Sequence, residues 1–126
     1  MKDKAYHDSI AAVIVSSAYK IGQTLGSGFL ERVYENALAI ELEEADLRVE
    51  KQKQIQVFYH AQVVGDYFAD LLVEDDVIVE LKAAKCLEAV HLAQCQNYLK
   101  ATGKKLGLVI NFGGEKVAVR RVVNGL

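Results

Sequence analysis

The chain has 126 residues, 52% hydrophobic and 25% charged, with a formal net charge of −2. That length suits one domain, residues 1–126, and buries about two-thirds of the unfolded surface, so neither disorder nor a disulfide-dependent core is expected. A slightly acidic balance excludes a cationic coat that grips nucleic acid without regard to sequence. Two cysteines, Cys86 and Cys95, make no disulfide framework and too few ligands for structural zinc, which suits reduced thiols in a cytoplasm. The stretch "IAAVIVSSAY" is short and runs into Lys20, so neither a signal peptide nor a membrane span is expected.

Ile10, Val13, Ile14, Ser17, Ala18, Ile21 and Leu25 recur at helical spacing and predict a helix over about 5–24. The glycine-rich "GQTLGSG" predicts a loop. A second helix is expected over about 29–45, capped by Ser27, with Glu31 near the positive end of its dipole. In "RVEKQKQIQVFYH" strand alternation puts Val49, Lys51, Lys53, Ile55 and Val57 on one face and mainly Glu and Gln on the other. "VVGDYFADLLV" and "VIVELKA" follow as strands separated by "EDD". "EAVHLAQCQNYLKAT" predicts a third helix with Leu92, Cys95 and Leu99 on its apolar stripe and Gly103 as its stop. "KLGLVINF" and "KVAVRRVV" close the chain as a hairpin around "GGE". The order ααβββαββ predicts an α/β fold in which helices flank a mixed central sheet. The third helix then crosses between two parallel strands.

Three charges interrupt the apolar strands: Asp70, Glu80 and Lys82. If residues 74–76 form a three-residue loop, Val73 faces Val77 and Asp70 faces Glu80, their Cβ atoms roughly 5 Å apart. Lys82 lies on the Glu80 face. Two facing carboxylates repel unless a cation sits between them, and carboxylate oxygens suit Mg²⁺. A neighbouring lysine can position a water or steady a phosphate. A two-residue loop would turn Asp70 away, and an exposed Glu–Lys ladder also explains the triplet taken alone.

Two further stretches bear on the choice. In "GFLERVY", Glu31 and Tyr34 are one turn apart on the helix face that carries Leu38. Glu31 either supplies a third carboxylate or merely favours the helix N-terminus. In "HLAQCQNY", His91, Gln94 and Tyr98 form a polar stripe. Gln94 and Tyr98 suit hydrogen bonds to a phosphate, a base edge or the lysine, and His91 reads as a half-exposed surface residue.

Asp70 followed by Glu80-x-Lys82 resembles the PD-(D/E)XK nuclease signature, and Gln94-x-x-x-Tyr98 resembles the Q-x-x-x-Y element of its exonuclease-like branches. "GFLERVY" resembles the motif of the GxxExxY protein family, and the likeness runs from about residue 8 to 123. The resemblance implies a restriction-endonuclease-like core with a four-stranded mixed sheet. It implies Mg²⁺ or Mn²⁺ on Glu31, Asp70 and Glu80, with Asp70, Glu80 and Lys82 catalysing phosphodiester hydrolysis. Gln94, Tyr98 and Tyr34 would bind or support the substrate. The chain departs from the family's usual pattern at Ser27, commonly Pro, and at Gly22, often His.

The expected partner is nucleic acid, DNA ahead of RNA. A homodimer, a common arrangement of small nuclease-like domains, is left open. Lys51, Lys53, Lys82, Lys85, Arg120 and Arg121 are candidates to line a phosphate path. Two other functions stand beside the nuclease. One is a non-catalytic nucleic-acid-binding scaffold. The other is a regulatory subunit that binds another protein through the polar strand at 48–57.

Overall fold

The computed structural model describes residues 1–126. Eight elements follow the expected order: α1 (Lys4–Leu25), α2 (Glu31–Glu44), β1 (Val49–Tyr59), β2 (Gln62–Val73), β3 (Val77–Lys82), α3 (Ala89–Thr102), β4 (Leu106–Asn111) and β5 (Ala118–Val123). The strands form one five-stranded sheet in the order β1-β2-β3-β4-β5, one strand more than the four-stranded core implied by the resemblance. Every pairing is antiparallel except β3 with β4, which α3 connects in parallel. A parallel pair cannot be joined by a tight turn, so the crossover must lie over a sheet face.

The apolar spacing decides the layers. Ile10, Ile14, Ala18 and Ile21 of α1 and Leu38 and Leu42 of α2 pack on Leu71, Val79, Leu108 and Ile110. Cys95, Tyr98 and Leu99 of α3 pack on Leu72, Ile78 and Val109, the alternate residues of the same strands. Gly107 lets α3 approach closely, because a Cβ there would lie 2.5 Å from the Cys95 sulfur.

Three local expectations are corrected. The loop after α1 begins at Gly26, because Gly22 to Leu25 remain helical. Gly22 is needed for packing, since a Cβ there would collide with the Val117 side chain. Ser27 does not cap α2: its N-cap residue is Leu30, with no side-chain hydrogen bond.

The third correction shapes the molecule. Alternation does not run unbroken along β1. Val49 packs with the α1–α2 core, whereas Ile55 packs beneath α3. β2 changes sides too: Leu71 and Val73 face α1 and α2, yet Ala69 faces α3. The switch lies at Gln52 and Asp70, between the pairs Lys51–Leu71 and Lys53–Ala69. Gln52 has φ 51°, a left-handed conformation uncommon outside glycine. Its side-chain amide offsets that strain by donating to Glu35 Oε1 at 2.6 Å, with a long contact to Asp70 Oδ1 at 3.5 Å.

A β-branched residue tolerates this φ worst. Gln52→Val should therefore cost about 1–3 kcal/mol more than Gln52→Gly in urea denaturation. Both variants lose the amide, so equal costs would mean that the backbone is not held left-handed.

Candidate active site

β2 and β3 pair through Val73–Val77, Leu72–Ile78 and Leu71–Val79, the register that a three-residue loop dictates. The tight turn uses left-handed Glu74 and Asp75, and Asp76 N–H donates to Val73 C=O at 3.0 Å. Backbone pairing stops one step beyond Leu71–Val79. There the carboxylates take over: Asp70 N–H donates to Glu80 Oε2 at 2.8 Å, and Leu81 N–H donates to Asp70 Oδ2 at 2.7 Å. The side chains satisfy amide groups that the parting strands would otherwise leave bare.

Glu80 is only 4% exposed. Burial, and then the charge of Asp70, pushes its carboxyl up to about 8. Burial also raises the Asp70 carboxyl, and the charge of Glu31 adds to the rise in both. The Lys82 charge opposes these shifts. Lys82 itself takes part in none of the chain's ion pairs. Its strand end is fixed from β4: Phe112 N–H donates to Lys82 C=O, and the buried Asn111 side chain exchanges two hydrogen bonds with Ala84.

Glu31 opens α2, and its Oε2 accepts from Ala83 N–H at 3.3 Å, just past the end of β3. The spacing of "GFLERVY" explains how it gets there. Gly28 has φ 114°, which strains any side chain, and lets the loop turn into α2. Tyr34, one turn after Glu31, is fully buried and stacked on Phe112 with ring centroids 4.4 Å apart. Its hydroxyl donates to Gly26 C=O at 2.6 Å and accepts from Phe29 N–H at 3.3 Å. Tyr34 thus holds the loop that delivers Glu31.

Gln94 and Tyr98 come together on α3, the Gln94 amide donating to the Tyr98 hydroxyl at 2.8 Å. Burial raises the Tyr98 hydroxyl, and the nearby Glu80 charge adds to the rise. Cys95 is pushed up to about 12, chiefly by burial, so its thiol is inert at neutral pH. His91 accepts from Glu88 N–H and caps its own helix.

The cations do not gather as one path. Lys51 and Lys53 lie on edge strand β1 and Arg120 and Arg121 on the opposite edge, β5. Lys51 meets Asn36, Lys53 pairs with Glu50 and Arg121 with Asp8.

No three carboxylate, imidazole or thiol groups converge closely enough to define an ion site. The donor chemistry nevertheless fits a hard divalent cation. Asp70 and Glu80 are adjacent, partly desolvated and all-oxygen, and the Asp70 charge destabilises that of Glu80. Each spends one oxygen on a backbone amide, while Glu80 Oε1 makes no hydrogen bond and keeps contact with solvent.

The family model described as the PD-(D/E)XK nuclease superfamily matches residues 8–122. The chain belongs to that superfamily. The crystal structure of SSO0001 is similar at TM-score 0.57 and 17% identity, covering 97% of this chain and 62% of the other. An alkaline exonuclease, LHK-Exo from Laribacter hongkongensis, is similar at TM-score 0.54 and 15% identity, covering 98% of this chain and 72% of the other. At these identities the likeness is one of fold, and this chain spans 62% of the length of SSO0001. No curated protein matches the sequence.

Two residues beside the candidate site escaped the sequence reading. Glu35, 3% exposed, and Gln52 line a depression of about 520 Å³ with Glu31 and Asp70. Glu35 had a signal, since it lies four residues after Glu31 on the same helix face. Gln52 had none.

The Glu80 shift sets a pH dependence for the metal-free chain. Asp70, Glu31 and Lys82 act on Glu80, and Tyr98 and Cys95 border it from α3. The folded state holds the Glu80 proton more tightly than the unfolded chain does. That stabilisation is full below pH 4.5 and is lost as pH rises through about 8. In EDTA the melting temperature should fall across this window. Glu80→Gln should flatten the fall and melt roughly 5 °C or more above the parent at its upper end. Parallel melting profiles for parent and variant would contradict the shift.

Proposed function

We propose that the chain is a divalent-cation-dependent nuclease that hydrolyses phosphodiester bonds, DNA ahead of RNA, in a cytoplasm. The observation that carries this reading is the juxtaposition of Asp70 and Glu80 where β2 parts from β3, with unpaired Lys82 two residues on. Superfamily membership supports it, as does the fold shared with an alkaline exonuclease. The "GFLERVY" stretch supports a place in the GxxExxY group.

Asp70 and Glu80, with Glu31 at their edge, are assigned to hold Mg²⁺ or Mn²⁺. The bound cation supplies Lewis-acid charge to a phosphoryl oxygen. Lys82 holds the attacking water by hydrogen bonding and offsets charge on the phosphate. Tyr98 accepts from Gln94, which leaves its own proton to donate to the substrate. Tyr34 acts through the loop it pins, as a positioning residue for Glu31.

A non-catalytic scaffold is the second reading. Its support is that both carboxylates already serve backbone amides, as a purely structural pair would.

The two readings separate on Lys82→Ala. The nuclease reading predicts that the variant keeps its fold and the rise in melting temperature with Mg²⁺ or Mn²⁺. It should lose roughly 10²-fold or more of cleavage against a panel of DNA and RNA substrates. Asp70→Asn should lose both the thermal shift and cleavage. Parent cleavage that persists in EDTA, or is unchanged in Lys82→Ala, would overturn the assignment.

A further inference from the structure

The switch at Gln52 and Asp70 turns the distal half of the β1–β2 hairpin toward α3, where it forms the wall of a groove of about 920 Å³. Phe58 and Tyr67 line the hairpin side, and Gln94, Asn97, Tyr98 and Lys100 the helix side. Phe58 is 59% exposed and Tyr67 46% exposed, so their rings present open faces. Tyr67 and Tyr98 are tilted across the groove with centroids 5.8 Å apart.

We infer that this groove takes a single nucleic-acid strand, its unpaired bases stacked on Phe58 and Tyr67 and its backbone led toward Asp70 and Glu80. The inference rests on the nuclease reading and adds the substrate class. Three observations carry it. First, the lining has aromatic faces next to the amides of Gln94 and Asn97, which suit stacking and base-edge hydrogen bonds. Second, Lys100 is the groove's only charge, and no carboxylate lines it, although the chain has 17 Asp and Glu residues. A polyanion meets no repulsion there. Third, the groove is continuous with the candidate active site: Tyr98 belongs to both, on the face of the sheet that carries Glu80.

The same features select against a duplex. Paired bases stack on one another and present only their edges, so the rings would find no face. Duplex affinity depends on many phosphate contacts, and this groove offers one cation.

The test is fluorescence anisotropy with a labelled oligodeoxythymidylate and a blunt duplex of equal length, in EDTA and again in calcium. The parent should bind the strand at least ~10-fold more tightly than the duplex. Tyr67→Leu and Phe58→Leu should each weaken strand binding at least ~5-fold, while Tyr67→Phe retains it. Because both residues are exposed, Phe58 at 59% and Tyr67 at 46%, the variants should fold, as melting curves would verify. Equal binding of duplex and strand, no strand binding in either condition, or unchanged binding by both leucine variants would overturn the inference. So would a parent dimer that Tyr67→Leu dissolves, since the groove would then be covered by a second copy. Cleavage by the parent alongside any of these leaves the nuclease reading standing. Strand binding without metal-dependent cleavage would sink that reading while keeping the groove.

Discussion

Everything near the candidate site depends on two carboxylate-to-amide hydrogen bonds across a gap between strands. Where β2 leaves β3, Asp70 N–H reaches Glu80 and Leu81 N–H reaches Asp70. A sheet edge opened inside a molecule leaves amides that must find partners. Here the partners are charged side chains, which fixes them in place but strips them of water. That desolvation drives both carboxyls toward protonation, with the charge of Asp70 adding to the rise at Glu80 and that of Glu31 adding to both. Under the proposed function a cation held there would offset the charge of both carboxylates. Under that reading, stability given up to the desolvated carboxylates without metal would become binding energy with it.

The same opening organises the surroundings. The turn of β1 at Gln52 accompanies that of β2 at Asp70, and the Gln52 amide links Asp70 to the buried Glu35 of α2. The Tyr34 hydroxyl draws the preceding loop down, so that the first residue of α2 lands at the end of β3. Helix α2 therefore touches the gap from one side of the sheet, and α3 brings Tyr98 and Gln94 from the other. Beyond the switch the hairpin leans over α3 and forms a groove rather than extending the flat sheet.

Much of this was legible in the sequence where a residue type has one dominant consequence. The apolar spacing in α1 and the Leu92–Cys95–Leu99 stripe placed helices. The short "EDD" turn set the Asp70–Glu80 register, and a helix between two apolar strands implied their parallel pairing. Legibility failed where tertiary contacts override local preference. Gln52 adopts a conformation its chemistry does not advertise, and alternation counted through it puts Ile55 on the wrong side. Gly22 reads as a loop former but serves as a small residue against Val117. The basic residues looked like one path only until the strand order sent them to opposite edges. Glu35 was signalled only by its spacing from Glu31, because the partner that explains its burial lies 17 residues away.

The most direct test of the central claim is a crystal grown with Mn²⁺ and an anomalous difference map recorded at the manganese edge. The account predicts a peak in contact with the Asp70 and Glu80 carboxylates, on the side of Glu80 Oε1, and no such peak in crystals of Asp70→Asn. A parent map with no peak at this gap at saturating metal, or with its only peak elsewhere on the surface, would contradict the assignment of these carboxylates to a cation.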